Sequence, residues 1–391
     1  MSSPTRRILP RLEAAASPGQ LAALTDDLLE EIFVRIASPI DLARAATACA
    51  SFHRLITDPA FLRRYRSLHP PLILGFVNGN LEGFQPAEVP HPSAPAGRAM
   101  ARAADFSFDF LPQGRWNHWN YCNARDGRIL LDCYPEEEEA GFLPDLVVCD
   151  PLSRRYLLLP PIPDGQVHEQ DLQYCDASLV PCADEDNEAS FRVIVEMQCA
   201  TDLVVFVHSS GFGREDLNPW SLSISQDTLS GQIGFSIIGC PCYAYGCIYW
   251  QVCSRNKLLK LNMERMEFST VDLPLGQDEQ NCIIVVVEEG DGRIGFFSHI
   301  MCEMSVYYYT SMQNEGNRAN EWQIKNVIQL PTDGHGLQII GTPQRYIFLI
   351  GDTTCFALEI KTMKIERVSH ITIHNFLPFL GFPPSMSPRR I

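Results

Sequence analysis

Three of the Leu-Pro steps in this chain of 391 residues, Leu159-Pro160, Leu273-Pro274 and Leu330-Pro331, close a longer strand-like unit. The marks lie 114 and 57 residues apart, and 114 is twice 57. Each closes the same order of turns and strand-like runs. Gly127-Arg128 leads through VVCDPLSRRYLLLP, Gly246-Cys247 through LLKLNMERMEFSTVDLP, and Gly292-Arg293 through VYYYT and WQIKNVIQLP. A shortened version, FALEIKTMKIERV, ends near Val368, and the double gap leaves room for an unmarked unit built from residues 191–229. Around these units lie further short runs such as LILGFV (72–77), FSFDF (106–110), CIIVVVEE (282–289) and YIFLIG (346–351), set apart by Gly, Asp and Pro. Many short strands joined by such turns predict an all-β sandwich, barrel or propeller. A four-stranded blade takes about 40–50 residues, so about 310 residues make a β-propeller of about six blades. An irregular β-sandwich with similar hairpins is the competing architecture. In the propeller the inner strand of each blade is expected to be apolar on both faces, as IIVVV and YIFLI are.

Ahead of Pro70-Pro71 the pattern is helical. Leu28, Leu29, Ile32, Phe33 and Ile36 form a wide stripe at i, i+1, i+4, i+5 and i+8. Thr25 is placed to cap this helix, with Asp26 and Asp27 in its first turn. Ser38-Pro39 interrupts it, and a second helix from Asp41 puts Leu42, Ala45, Ala46 and Cys49 on one face. A third carries Phe52, Leu55 and Ile56. Asp58-Pro59 then sets a cap and a first-turn proline ahead of Phe61, Leu62, Tyr65 and Leu68. The chain therefore divides into a leader at 1–20, a helical unit at 21–69 and a β-domain at 70–391, an α+β multidomain arrangement. Residues 79–104, rich in Pro, Gly and Ala, are expected to be a loop insert. A helical unit of about 45 residues buries too little surface to satisfy so many apolar side chains, which implies a partner for them, either the β-domain or another chain.

Leu24, Leu28, the Glu30-Glu31-Ile32 step, Leu42, Cys49, Phe52, Leu55, Ile56 and Asp58-Pro59-Ala60-Phe61 resemble an F-box over roughly 45 residues. Two positions depart from the family: Thr25 stands where proline is usual, and Phe52 where tryptophan is usual. Lines such as VCDPLSRRYLLLPPIP resemble, more loosely, the C-terminal region of plant F-box proteins. The resemblance implies a non-catalytic substrate receptor of an SCF-type cullin–RING ubiquitin ligase, acting in the cytoplasm or nucleus. Leu24, Leu28, Ile32, Leu42, Cys49, Phe52, Leu55 and Ile56 would then meet a Skp-type adaptor, and the β-domain a protein substrate of unknown identity. The alternative is an F-box-derived interaction scaffold working outside the ligase.

Composition bears on partners. The net charge of −16 is uneven: residues 1–69 hold nine Lys/Arg and seven Asp/Glu, leaving 22 against 40 for the remainder. So acidic a β-domain repels phosphate backbones, and no nucleic-acid partner is expected. No apolar run approaches the ~20 residues of a membrane span, and the leader has no continuous apolar core for a secretory signal. The fourteen cysteines show no repeated framework and read as reduced thiols buried as small hydrophobes.

Local motifs add little chemistry. Cys240, Cys242, Cys247 and Cys253 follow C-x-C-x4-C-x5-C, which lacks the paired knuckles of a zinc ribbon. His118, His208, His299 and His335 lie beside aromatic or turn residues in no ligand or triad spacing. The acidic runs Glu136–Glu139 and Asp184-Glu185-Asp186 with Glu188 read as solvated loops, and Trp116, Trp119 and Tyr121 as packing at a blade junction or a binding surface. No nucleotide-binding loop or nucleophile elbow occurs. No cofactor is expected.

Overall fold

A computed structural model describes residues 24–386, apart from 79–82, 113–118, 135–142, 164, 166, 168–170, 182–189, 200–201, 211–219, 226–236, 254–255, 275–281, 301–302, 313–320, 332–336, 340–344, 352–353 and 371–375. Two compact units meet at His69/Pro70.

The first unit holds α1 (Asp26–Phe33), α2 (Pro39–Ala46), α3 (Ala50–Ile56) and α4 (Pro59–Leu68). Its boundaries follow capping chemistry. Ser38 Oγ accepts from Asp41 N–H at 3.2 Å, so α2 begins at Pro39, two residues earlier than expected. Asp58 Oδ1 accepts from the N–H groups of Ala60 at 2.8 Å and Phe61 at 3.3 Å, and Pro59 occupies the first turn of α4. Thr25 is extended at the N-cap of α1, but its side chain makes no capping bond. Asp26 and Asp27 in the first turn favour that end of the helix dipole instead. Inside, Leu29, Phe33, Leu42, Leu55, Ile56, Phe61 and Leu62 are buried. Phe33 meets the Phe52 ring edge-on at 5.0 Å. Tyr65 is fully buried, donates to Ile36 O at 2.7 Å and stacks on His69 at 4.1 Å.

The second unit is a six-bladed β-propeller. Blade I comprises β3 (Asn120–Arg125), β4 (Arg128–Cys133), β5 (Asp145–Asp150) and β6 (Arg155–Leu158). Blade II comprises β7 (Leu172–Val180), β8 (Arg192–Cys199), β9 (Leu203–Ser209) and β10 (Trp220–Ile224). Blade III comprises β11 (Ile237–Ala244), β12 (Cys247–Val252), β13 (Lys257–Asn262) and β14 (Glu267–Asp272). Blade IV comprises β15 (Cys282–Gly290), β16 (Arg293–Ile300), β17 (Ser305–Met312) and β18 (Glu321–Gln329). Blade V comprises β19 (Gln338–Ile339), β20 (Tyr346–Ile350), β21 (Cys355–Glu359) and β22 (Lys364–Ser369). All five are antiparallel meanders, and blade II is the unmarked unit in the double gap. Asp126-Gly127, Tyr245-Gly246 and Asp291-Gly292 join first to second strand in blades I, III and IV, with both residues at positive φ as a two-residue I′ hairpin requires.

Blade VI is assembled from both ends of the propeller. β1 (Leu72–Asn78) lies between β2 (Phe84–Pro86) and β23 (Phe376–Gly381), with Ile73 opposite Leu380 and Val77 opposite Leu377. Innermost strands meet around the axis, β23 beside β3, β3 beside β7 and β11 beside β15. The expected apolar inner strand is thereby corrected in part. IIVVV does lie in innermost β15, but YIFLI is β20, a second strand. The second strand is the one wedged between layers, as in β12, buried at every position. Innermost β3 is only half-buried along most of its length.

Two further expectations are corrected. Residues 79–104 are not simply a loop: they carry β2 and α5 (Ala94–Ala103). The small residues that read as loop-forming allow close packing, since a Cβ on Gly97 would lie 2.2 Å from Leu74 O of β1. FSFDF is not a strand. Asp105 Oδ1 accepts from Ser107 N–H at 3.1 Å and Oγ–H at 2.7 Å, and Phe108 has φ 59°, a local turn that outcompetes pairing. Its Phe106 stacks on Phe84 at 4.4 Å instead.

Replacing Gly97 by Ala should therefore destabilise the propeller by about 1–3 kcal/mol, the scale of overpacking a tight contact. Urea unfolding of both proteins measures this, and equal midpoints would show that α5 does not rest on β1 as described.

Candidate functional site

Two places among the described residues gather groups capable of recognition. The first is the outward side of α1. Its wide apolar stripe splits: Leu29 and Phe33 go inward, while Leu28 keeps 52% and Ile32 45% of its surface exposed. They stand one turn apart on the same side. Arg54 meets Asp26 at 2.7 Å and Arg64 meets Glu31 at 2.5 Å, tying α1 to α3 and α4. Both pairs are solvent-exposed, so they orient the helix more than they stabilise it.

The other residues expected on this surface fall in different places. Leu24 and Phe52 are half-buried and Cys49 is exposed at the start of α3. Leu42, Leu55 and Ile56 are buried, at 0%, 7% and 0% exposure. A unit of four short helices uses them as its own core.

The second place lies on the first and second strands of blades I to III. Asp176 of β7 stands opposite Glu196 of β8 in register, and directly opposed residues share a sheet face about 5 Å apart. Glu196 is only 6% exposed, and the indole N–H of Trp250, from blade III, donates to its Oε2. Burial, reinforced by Asp176, pushes the Glu196 carboxyl up to about 8, against the pull of the Trp250 bond. Burial also raises Asp176 to about 6, opposed by its hydrogen bond from Ala177 N–H and assisted by Asp132. Asp132 of β4 is raised by burial, while bonds from Cys122 and Asn120 pull it down. Burial pushes the Cys122 and Cys175 thiols up as well, so at neutral pH they are protonated and weak nucleophiles. Sequence reasoning missed this constellation. The available signal was a glutamate inside the apolar run FRVIVEMQ.

The remaining sequence candidates are dispersed. Cys240 is exposed, Cys242 and Cys247 are buried and Cys253 is half-buried. Among the described residues no three His, Cys, Asp or Glu side chains are grouped to hold a metal ion. His208 packs on Trp220 at 5.3 Å. His299 is buried between Ser305 O at 3.2 Å and Leu337 O at 3.0 Å, joining blade IV to the chain entering blade V. Trp119 is buried, and Tyr121 packs near Phe108 at 6.0 Å. His118, His335, Trp116 and both acidic runs lie outside the described residues. No described helix is long and apolar enough to cross a membrane.

The fold and these surfaces define a two-unit chain, a cluster of short helices followed by a six-bladed β-propeller. No family model matches it, and no curated protein sequence does. Solved structures similar to it include YCF48 from Cyanidioschyzon merolae, at 11% identity and TM-score 0.37, covering 65% of this chain and 71% of that one. Apo AztD from Citrobacter koseri is similar at 10% identity and TM-score 0.30, covering 68% and 61%. The dihydro-heme d1 dehydrogenase NirN in complex with DHE is similar at 9% identity and TM-score 0.33, covering 68% and 60%. The chain thus spans about three fifths of the last two. Likenesses at this level carry nothing about activity.

Glu196 offers a direct test of the buried carboxyl. Its folded pKa lies above the unfolded value of 4.5, so its contribution to stability is full below that value and is lost as pH rises toward 8. Glu196→Gln keeps an oxygen for the Trp250 N–H and removes the titration. The stability difference between variant and wild type should grow in the variant's favour from about pH 5 to pH 8.5 in thermal melts. A difference independent of pH would refute the assignment.

Proposed function

We propose that this chain is the substrate-recognition subunit of an SCF-type cullin–RING ubiquitin ligase. The observation that carries the reading is the exposed Leu28/Ile32 pair, one turn apart on α1. It is supported by the resemblance of residues 24–61 to an F-box. In this reading α1 lays Leu28 and Ile32 on a Skp-type adaptor, with Leu24, Cys49 and Phe52 at its margins, and the propeller holds a protein substrate. The chain supplies no catalytic group. It raises the effective concentration of a substrate lysine beside the charged ubiquitin-carrying enzyme, so its contribution is proximity and orientation. Such an activity belongs in the cytoplasm or nucleus, where the free thiols stay reduced.

A second reading is a scaffold that keeps the helical fold but works outside the ligase. Burial of Leu42, Leu55 and Ile56 favours it, because it leaves a smaller apolar surface for an adaptor.

Co-purification with a Skp-type adaptor separates the two. Wild type should form a stoichiometric complex, and Leu28→Asp with Ile32→Asp should weaken it by about 100-fold or more, since two apolar anchors become carboxylates that would be buried. A folded wild type that forms no complex would reject the ligase reading in favour of the scaffold.

A further inference from the structure

A cavity of about 120 Å³ opens between the innermost strands β3, β7 and β11, with Leu377 and Pro378 of β23 at one side. Asn123 and Arg125 of β3, Asp176 and Ser178 of β7 and Tyr243 of β11 are among its lining residues. Of these, Arg125 is the one left short of partners. Its Nε is shut off from solvent and has no hydrogen-bond partner among the described residues. The Asp126 carboxylate comes only to 3.8 Å, too far for a hydrogen bond. Glu288, which also acts on Arg125, accepts instead from Tyr245 N–H at 2.7 Å. Burial lowers the Arg125 pKa in spite of Asp126, Tyr243 and Glu288. The neighbours therefore do not offset the cost of desolvating this cation.

The surroundings set the charge of a guest. Tyr243 is raised by burial against the pull of Arg192 and Arg125, so a second cation stands near this end of the cavity. Asp176 belongs to the other end. It acts on Cys122, three residues back along β3, and not on Arg125. Three residues of strand span about 10 Å. An anion is what the Arg125 end lacks. The β-domain as a whole holds 22 Lys/Arg against 40 Asp/Glu, which disfavours a multiply charged guest such as phosphate and leaves a single negative charge. The volume is well above the ~10–15 Å³ that one water needs and well below the ~300 Å³ at which pockets for drug-sized ligands begin.

We propose that this cavity binds a carboxylate, held by the Arg125 guanidinium with the Tyr243 and Ser178 hydroxyls and the Asn123 amide as further donors. Guanidinium and carboxylate match as planar, charge-assisted partners. The carboxylate belongs to a small organic acid or to the C-terminal end of a polypeptide. In the second case the inference deepens the receptor reading, on which it rests for the view that the propeller holds a protein substrate.

The test is calorimetric titration of the full chain with N-acetylglycine, with an N-acetylated pentaglycine that has a free C-terminus, and with the C-terminal amide of each. Saturable binding of an acid, absent for its amide, is the expected result. It should fall about tenfold or more in Arg125→Gln, and likewise in Asn123→Leu, which sets methyl groups in place of a donor. Thermal melts establish that each variant is folded. Tighter binding of the peptide assigns the carboxylate to a chain end, and N-acetylglycine binding as tightly or more so assigns it to a small acid. No saturable binding of either acid would overturn the proposal. So would equal binding of the amides, or equal binding by wild type and both folded variants. The Leu28→Asp/Ile32→Asp protein should bind the acids as wild type does. Failure of adaptor binding with acid binding intact would therefore sink the ligase reading alone, and the reverse result would sink only the pocket.

Discussion

The pairing of β1 with β23 is the constraint on which the propeller depends. Five blades are local meanders, each written in one stretch of chain, and each buries its faces against its neighbours. The sixth exists only when residues 72–78 meet residues 376–381. Closing a loop of that length costs about 5 kcal/mol of chain entropy. Offsetting it are Ile73, Leu74, Phe76 and Val77, all at 2% exposure or less, and the backbone bonds of the central strand. Without that closure blades V and I would each expose an apolar face. Side chains then stitch blade to blade where backbone pairing stops. Gln251 donates to Cys282 O at 2.8 Å and accepts from Ile284 N–H at 2.9 Å, joining blades III and IV. Gln85 reaches His370 O at 2.8 Å across blades VI and V.

Ring closure also produces the inner cavity. Wedged second strands can be filled with Val, Ile and Leu, but innermost strands converge on an axis where side chains from several blades compete for space. Polar residues are tolerated there because space and solvent remain. Asp176 and Ser178 on β7, and Asn123 and Arg125 on β3, are products of that geometry. Glu196 marks the boundary. It sits one strand further out, where burial is nearly complete, and so its carboxyl is neutral-leaning while Asp176 is not.

What could be read from sequence was local. The Leu-Pro marks, the Asp-Gly and Tyr-Gly hairpins and the Asp58-Pro59 cap each depend on residues within a few positions of one another, and all have counterparts in the structure. What could not be read depends on distant partners. Nothing near LILGFV says that its neighbour lies at 376–381. Nothing in the Ala- and Gly-rich segment at 94–103 says that small residues serve contact with β1 instead of flexibility. The periodicity of α1 identifies a wide apolar stripe without saying which half faces inward, so Leu28 and Ile32 could not be separated from Leu29 and Phe33. For the same reason Leu42, Leu55 and Ile56 were grouped with the outer surface when they form core. The Asp176–Glu196 pair was hidden because register between two strands, not spacing along one, brings the carboxyls together.

The central claim is a division of labour in which α1 engages an adaptor and the propeller remains free for a substrate. Hydrogen–deuterium exchange on the full chain, with and without a Skp-type adaptor, tests it most directly. The account predicts added protection over Asp26–Phe33 and unchanged exchange in the inner strands Asn120–Arg125 and Leu172–Val180. Protection in those inner strands with none in the first helix would contradict it.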